Sequence, residues 1–185
     1  MAANDLIRDF VNTRDILDGG EALATPGELA EWCAAQGLVT GPVRATAADL
    51  RHAIELREAL RQLLLANNGV EVDRTGAFDV LDGVACRARV GLRCRDGAAT
   101  LQPAATGVKG ALGSIVVAVH TATADGSWAR LKACRARDCE WAFVDHAKNQ
   151  SRAWCSMRVC GNREKARSFR ERQRAVGGVR KRSST

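Results

Sequence analysis

Apolar residues recur at helical spacing through most of the first 125 residues of the chain. Leu6, Ile7, Phe10 and Val11 share one face of a short helix, which we predict from Asn4 to about Val11. Four further apolar stripes predict helices over about 26–36, 46–66, 75–87 and 108–124. The first part of the chain is therefore predicted to be mainly helical.

Local signals refine these boundaries. Thr25-Pro26-Gly27-Glu28 combines an N-cap, a proline at the first helical position and the partner residue of a capping box. Thr46-Ala47-Ala48-Asp49 opens the longest helix. Between the last two helices the apolar period changes to two, over 90–94 and 99–101, and Asp96-Gly97 supplies a two-residue turn. This pattern predicts one β-hairpin.

The composition favours a folded cytoplasmic protein. Hydrophobic residues make up 46% of the chain, yet no run of 18 apolar residues occurs, so no membrane span is expected. The start of the chain lacks the basic and apolar regions of a signal peptide. The seven cysteines are an odd number, and thiols stay reduced in the cytoplasm. These features argue against a disulfide framework.

Charge is distributed unevenly along the chain. The net charge is +7, but the residues from Trp128 onward carry +11 and the preceding 127 residues carry −4. A mildly acidic body with a strongly basic end is typical of a protein with a nucleic-acid-binding appendage. We place the boundary at Asp125-Gly126-Ser127.

The basic end contains four cysteines in two evenly spaced pairs, Cys134 with Cys139 and Cys155 with Cys160, separated by fifteen residues. This spacing suits a tetrahedral site with four thiolate ligands and no open position, such as one structural Zn²⁺. The fifteen-residue spacer is long enough for a strand out and a strand back. Four packed thiols, two disulfides or an iron–sulfur cluster are the alternatives, and the spacing does not exclude the cluster.

A helix is predicted after Cys160, with Asn162 as its N-cap and with Ala166 and Phe169 packed back on the zinc unit. Arginine suits phosphate groups and guanine edges. The predicted nucleic-acid-binding residues are Arg158, Arg163, Lys165, Arg167, Arg170, Arg172 and Arg174. Four of them recur at spacings of four, three and four from Arg163, which predicts a basic helix face.

The sequence offers no nucleophile or phosphate-loop motif, so we expect a protein that is not an enzyme. His52 and His120 stand alone in helical stretches and are expected to be structural or surface residues. Cys33, Cys86 and Cys94 lack metal-ligand spacing and are expected to pack in the core.

The cysteine segment, with its Trp154-Cys155-Ser156 approach and the tetrapeptide Cys160-Gly161-Asn162-Arg163, resembles the CGNR zinc-finger family of bacteria. Asp9-Phe10-Val11-Asn12-Thr13 and the helix start at Thr25-Pro26 resemble the ABATE domain that commonly precedes this finger. The resemblance implies a stress-induced transcriptional regulator whose finger binds DNA. It also implies that the zinc ligands are Cys134, Cys139, Cys155 and Cys160.

The predicted architecture is α+β. A mainly helical N-terminal domain with one β-hairpin covers 1–126, a four-cysteine zinc finger of hairpin plus helix covers 127–176, and a flexible basic tail covers 177–185. Duplex DNA is the expected partner, with an unknown effector or protein partner for the N-terminal domain. A homodimer through helix 46–66 is a further possibility. The alternatives are RNA binding and a zinc-ribbon protein-interaction module with Trp141, Phe143 and Trp154 exposed.

Overall fold

The computed structural model describes residues 2–180, with side chains described as far as Gln173. Six α-helices are described: α1 Ala3–Val11, α2 Pro26–Ala35, α3 Ala47–Asn67, α4 Arg74–Ala88, α5 Gly107–Ala124 and α6 Asn162–Arg180. Four strands form two antiparallel pairs: β1 Val90–Arg95 with β2 Ala98–Pro103, and β3 Leu131–Ala133 with β4 Ala142–Val144. The α+β class predicted from the sequence is confirmed.

Helix starts follow the capping chemistry of the sequence. The Thr25 hydroxyl accepts from the backbone N–H of Glu28, and the Glu28 carboxylate accepts from the backbone N–H of Thr25. Thr46 and Asp49 form the same reciprocal pair at the start of α3. These interactions satisfy N–H groups that the first helical turn leaves without a partner.

The first hairpin has the predicted turn. Asp96 and Gly97 both adopt positive φ angles, 52° and 77°, as a two-residue hairpin turn of this type requires. Val90 pairs with Pro103 and Arg95 with Ala98. Most of the hairpin is solvent-exposed, because only its base packs against α4 and α5.

One core joins the helical part to the cysteine segment. Leu131 and Ala133 of β3 and Ala142 of β4 are fully buried in the same apolar cluster as Phe10 of α1 and Leu64 of α3. β3 packs on α3 and β4 packs on α1. The β3–β4 hairpin of the finger therefore packs directly against the helical part.

That hairpin differs from the sequence prediction. The fifteen-residue spacer contributes only β4, and its partner β3 precedes the first cysteine pair. Leu131 is paired with Val144 and Ala133 with Ala142. The reason is burial: the three residues of β3 are all buried, and this pairing places Leu131 and Ala133 in the core.

Helix α5 is long and apolar enough to cross a membrane by length and composition alone. Half of it is buried within the protein, where Ala111, Leu112 and Ile115 contribute to the core. A core helix of a water-soluble domain meets the same criterion. No other helix in the described residues does so.

The three scattered cysteines differ in environment. Cys33 is buried as predicted, and burial raises the pKa of its thiol to about 11. Cys86 and Cys94 are exposed, so the packing prediction is wrong for both. Cys94 lies on β1, where the exposed hairpin has no core to bury it. The predicted tail begins inside α6, which continues to Arg180, and residues 181–185 lie outside the described part of the chain.

Candidate metal centre and nucleic-acid face

The four predicted ligand cysteines converge. The Sγ atoms of Cys134, Cys139, Cys155 and Cys160 all lie within 4.8 Å of one another. The Sγ of Cys155 is 3.7 Å from that of Cys139 and 3.7 Å from that of Cys160. A tetrahedral zinc ion with Zn–S bonds of about 2.3 Å places its sulfurs about 3.8 Å apart. The cluster therefore fits one structural Zn²⁺.

The same distances exclude two of the alternatives left by the sequence, a pair of disulfides and a multi-iron cluster. A disulfide would bring two sulfurs to about 2.05 Å, and none of the seven cysteines, all of which lie in the described residues, forms one. In a multi-iron cluster the four thiolates are divided between at least two irons, so some of the sulfurs would lie farther apart than the 4.8 Å within which all four are found here. A single tetrahedral ion accounts for the geometry.

Tight turns present each pair of cysteines. After β3, the carbonyl of Ala136 accepts from the backbone N–H groups of Cys139 and Glu140, and Glu140 turns the chain with a φ of 49°. The second pair is held by a π-helical turn, Met157–Gly161, that Ser156 caps by accepting from the N–H of Val159. Each pair is thus fixed by local backbone hydrogen bonds.

Gly161 is closely packed in this turn. A Cβ atom at this position would lie 2.4 Å from the Sδ atom of Met157 and 3.1 Å from Cδ1 of the Trp154 ring. Because the π-helical turn already runs into α6, Asn162 has helical backbone angles and is not the predicted N-cap. Its amide Nδ2 instead donates to the carbonyl of Arg158.

The thiols share their protons unevenly. Hydrogen bonds from Cys139 and then Cys155 lower the pKa of Cys134, because they stabilise its thiolate. The pKa of Cys139 is raised, chiefly because it acts as donor to Cys134. Four neighbouring thiolates repel one another, whereas a divalent cation replaces the shared protons and favours deprotonation of all four.

Arg163 belongs to the metal centre. Its Nη2 donates to Asp138 at 3.0 Å and lies 3.8 Å from the Sγ of Cys160, and its Nε is buried. A guanidinium at this position offsets the negative charge of a metal-bound thiolate and orients the ligand. The residue that was predicted to face nucleic acid is thus directed inward.

The aromatic residues of the finger form a small core. Phe143 is buried, and Trp141 and Trp154 are partly buried against the cysteines. The guanidinium of Arg152 lies 5.1 Å from the Phe143 ring centroid. The predicted packing of Ala166 and Phe169 is wrong, because α6 extends away from this core and leaves both exposed.

Side chains of the helical part hold the finger's backbone. Nδ2 of Asn68, at the end of α3, donates to the carbonyls of Ala133 at 2.7 Å and Ala153 at 2.9 Å. Arg61, which is 1% exposed, donates to the carbonyls of Val11 and Glu140. Neither role was predicted from the sequence. The only signal was the Asn67-Asn68 pair, which resembles an ordinary helix stop.

A buried ion pair braces the spacer. The ammonium group of Lys132 donates to Asp145 at 2.8 Å, and both residues are buried. Asp145 also accepts from the backbone N–H groups of Ala147 and Arg152. Burial raises the pKa of Asp145, but these hydrogen bonds outweigh it and hold the pKa below its usual value.

The remaining predicted contact residues differ in their surroundings. Arg167 contacts two carboxylates, Glu164 at 2.6 Å and Glu171 at 3.9 Å. Four cations are exposed and contact no carboxylate of the described residues: Arg158, Lys165, Arg170 and Arg172. The side chain of Arg174 lies outside the described residues.

Comparison with known families agrees with this arrangement. A family model described as ABATE, putative stress-induced transcription regulator, matches residues 4–126. The chain belongs to the ABATE family. A second model, the CGNR zinc finger, matches residues 130–173 of this ABATE-family protein and includes all four clustered cysteines. No curated protein matches the chain. The family predicted from the sequence motifs is confirmed.

Proposed function

We propose that this protein is a cytoplasmic bacterial transcription regulator that binds duplex DNA through the exposed cations of its finger helix and of the turn before it. In this proposal it is not an enzyme, and the zinc ion holds the finger together and takes no part in chemistry. An effector or protein partner of the helical part and a homodimer through helix 46–66 stay predictions. The family description supports regulation of transcription, and the charges on α6 support DNA as the partner.

The observation that carries the proposal is the uncompensated charge on α6 and the turn before it. The exposed cations Arg158, Lys165, Arg170 and Arg172 contact no carboxylate in the described part of the chain. Such a surface attracts phosphates and releases counterions when it binds them. The aromatic residues that an interaction module would expose are instead packed around the cysteines, which favours nucleic acid over a protein partner.

The test is a salt titration of zinc-loaded protein against a labelled duplex of mixed sequence. If the four cations each contact a phosphate, the slope of log affinity against log salt is about −3 to −4. Metal content is measured on the same sample. One zinc per chain without DNA binding at any salt concentration would refute the proposal and direct attention to a protein partner.

A matched pair of variants locates the surface. Replacing the four exposed cations of the finger by alanine should abolish binding and leave the zinc content unchanged. The control removes the same charge from four exposed arginines of the helical part: Arg51, Arg74, Arg93 and Arg95. Equal losses in both variants would mean that net charge, and not these four finger cations, determines binding.

Competition with single-stranded RNA separates an RNA-binding protein from a DNA-binding one.

A further inference from the structure

Two uncharged side chains lie among the cations on α6. Asn162, Lys165, Phe169 and Arg172 follow one another at spacings of three, four and three residues, so they share one face of the helix. All four are solvent-exposed. Arg158 lies one turn before Asn162, because the Asn162 amide donates to its carbonyl. An amide and an aromatic ring are thus flanked by positive charge.

Phe169 is 56% exposed, although burial of a phenylalanine is normally favourable. Its neighbours along the face are Lys165 on one side and Arg172 on the other. An apolar protein groove would leave these charges without partners. A DNA groove suits all three residues, because phosphates flank base edges and thymine presents a methyl group.

Asn162 retains hydrogen-bonding capacity. One Nδ2 hydrogen is used by the Arg158 carbonyl at 3.1 Å, and Oδ1 accepts from no group in the described residues. The second Nδ2 hydrogen and Oδ1 are therefore available together. Adenine is the base that pairs with such an amide in the major groove, since it presents N7 as acceptor and N6–H as donor.

We infer that Asn162 and Phe169 read A·T base pairs in the major groove, Asn162 through adenine N7 and N6 and Phe169 through a thymine methyl. Lys165 and Arg172 contact the phosphates and set the register. Asn162 is the first residue of α6, and the N-terminal residues of a recognition helix are those that contact base edges in helix-turn-helix proteins. This inference rests on the proposed DNA binding and names the bases that the helix contacts.

The helix sets the spacing of the two positions. Asn162 and Phe169 are seven residues apart, about 10 Å along a helix with a rise of about 1.5 Å per residue. Base pairs are spaced by about 3.4 Å. If α6 lies along the groove, the two contacted base pairs are about three steps apart. The selected site should therefore contain two A·T pairs at this separation.

The experiment selects duplexes from a random pool with wild-type protein and three single variants. Asn162→Ala should lose the preference at one A·T position, and Phe169→Ala should lose it at the other, each by about tenfold to hundredfold. Arg172→Ala is the control: it should weaken binding to all sequences alike and reduce the salt slope by about 1. Zinc content and helical circular dichroism confirm that each variant is folded.

The outcomes separate this inference from the proposed function. If wild-type protein binds duplexes with strong salt dependence but the Asn162 and Phe169 variants select the same sequences as wild type, the base-reading inference is wrong and DNA binding stands. If wild-type protein binds no duplex, the proposed function itself fails. Preference for G·C pairs at both positions would also overturn the inference.

Discussion

Asn12 and Ala142 exchange two hydrogen bonds across 130 residues of chain. Nδ2 of Asn12 donates to the Ala142 carbonyl at 3.0 Å, and Oδ1 accepts from the Ala142 N–H at 2.8 Å. The side-chain amide thereby pairs with β4 as a neighbouring strand would. The first helix of the ABATE segment is fastened in this way to the hairpin of the finger.

Replacing Asn12 by alanine should destabilise the protein. The polar backbone groups of Ala142 would lose their partners at a partly buried position, which costs about 1–3 kcal/mol. Urea unfolding with a fixed zinc concentration measures the change in the free energy of unfolding. As a control, Asn149→Ala changes an exposed amide whose one side-chain hydrogen bond in the described residues is from nearby Ser151, and it should stay within about 0.5 kcal/mol of wild type. If the two variants lowered the free energy of unfolding equally, the stabilising role of the Asn12–Ala142 hydrogen bonds would be contradicted.

Removing zinc should loosen the helical part as well as the finger. Structural zinc contributes about 10–16 kcal/mol in zinc-finger peptides, and β3 and β4 share the core with α1 and α3. Hydrogen exchange with and without a chelator should show faster exchange in α1 and at the end of α3. Cys94→Ser, on the exposed hairpin, should keep one zinc per chain, whereas Cys160→Ser should not. If hydrogen exchange in α1 were the same with and without the chelator, the stability of the helical part would not depend on zinc binding by the finger.

Arg163 and Arg170 should have separable effects. Arg163→Ala removes the guanidinium beside Cys160 and should lower zinc affinity about 10- to 100-fold, measured by competition with a chromophoric chelator. Arg170→Ala should leave zinc affinity unchanged and reduce DNA affinity, with a salt slope lower by about 1. Arg167→Ala should weaken DNA binding less, because Glu164 and Glu171 already offset its charge. If Arg163→Ala instead weakened DNA binding and left zinc affinity unchanged, Arg163 would be a DNA contact and not part of the metal centre.

Stability of the helical part should depend on Glu21 at acid pH. Burial raises the pKa of Glu21, but hydrogen bonds from Arg57 and the Leu23 N–H, with the charges of Arg57 and Arg14, lower it overall. A carboxylate with a lowered pKa adds stability above its unfolded pKa of about 4.3, and this stability is lost as the pH falls through the folded value.

Glu21→Gln should therefore lower the free energy of unfolding at pH 7 and flatten its decline between about pH 5 and pH 3. Glu31→Gln changes an exposed carboxylate with no ion pair in the described residues, so it should leave the pH profile unchanged. A Glu21→Gln profile parallel to wild type would mean that other groups account for acid unfolding.

Features set by neighbouring residues could be predicted from the sequence. The capping boxes at Thr25 and Thr46, the turn at Asp96-Gly97 and the spacing of the ligand cysteines each depend on chemistry within a few residues. Their geometry follows from local hydrogen bonds or from ligand preference. The zinc centre was predictable for the same reason.

Features that depend on distant residues could not be predicted. Arg61 and Asn68 bond to carbonyl groups 79 and 65 residues away, and nothing near either residue indicates those partners. β3 has only three residues, too few for an alternating pattern to be recognised. Asn162 resembles an N-cap, yet Ser156 caps the chain earlier because the π-helical turn precedes α6. Tertiary packing decided each of these outcomes.

The burial of β3 and β4 between α1 and α3 also limits how this architecture can be rearranged. A finger cut out at residue 130 would expose Leu131 and Ala133, which are fully buried here, and would leave the carbonyl groups bound by Asn12, Arg61 and Asn68 without partners. The finger is therefore not expected to fold when it is separated from the helical part. A working chimaera would have to exchange the ABATE segment and the finger together, or carry matching side chains on both.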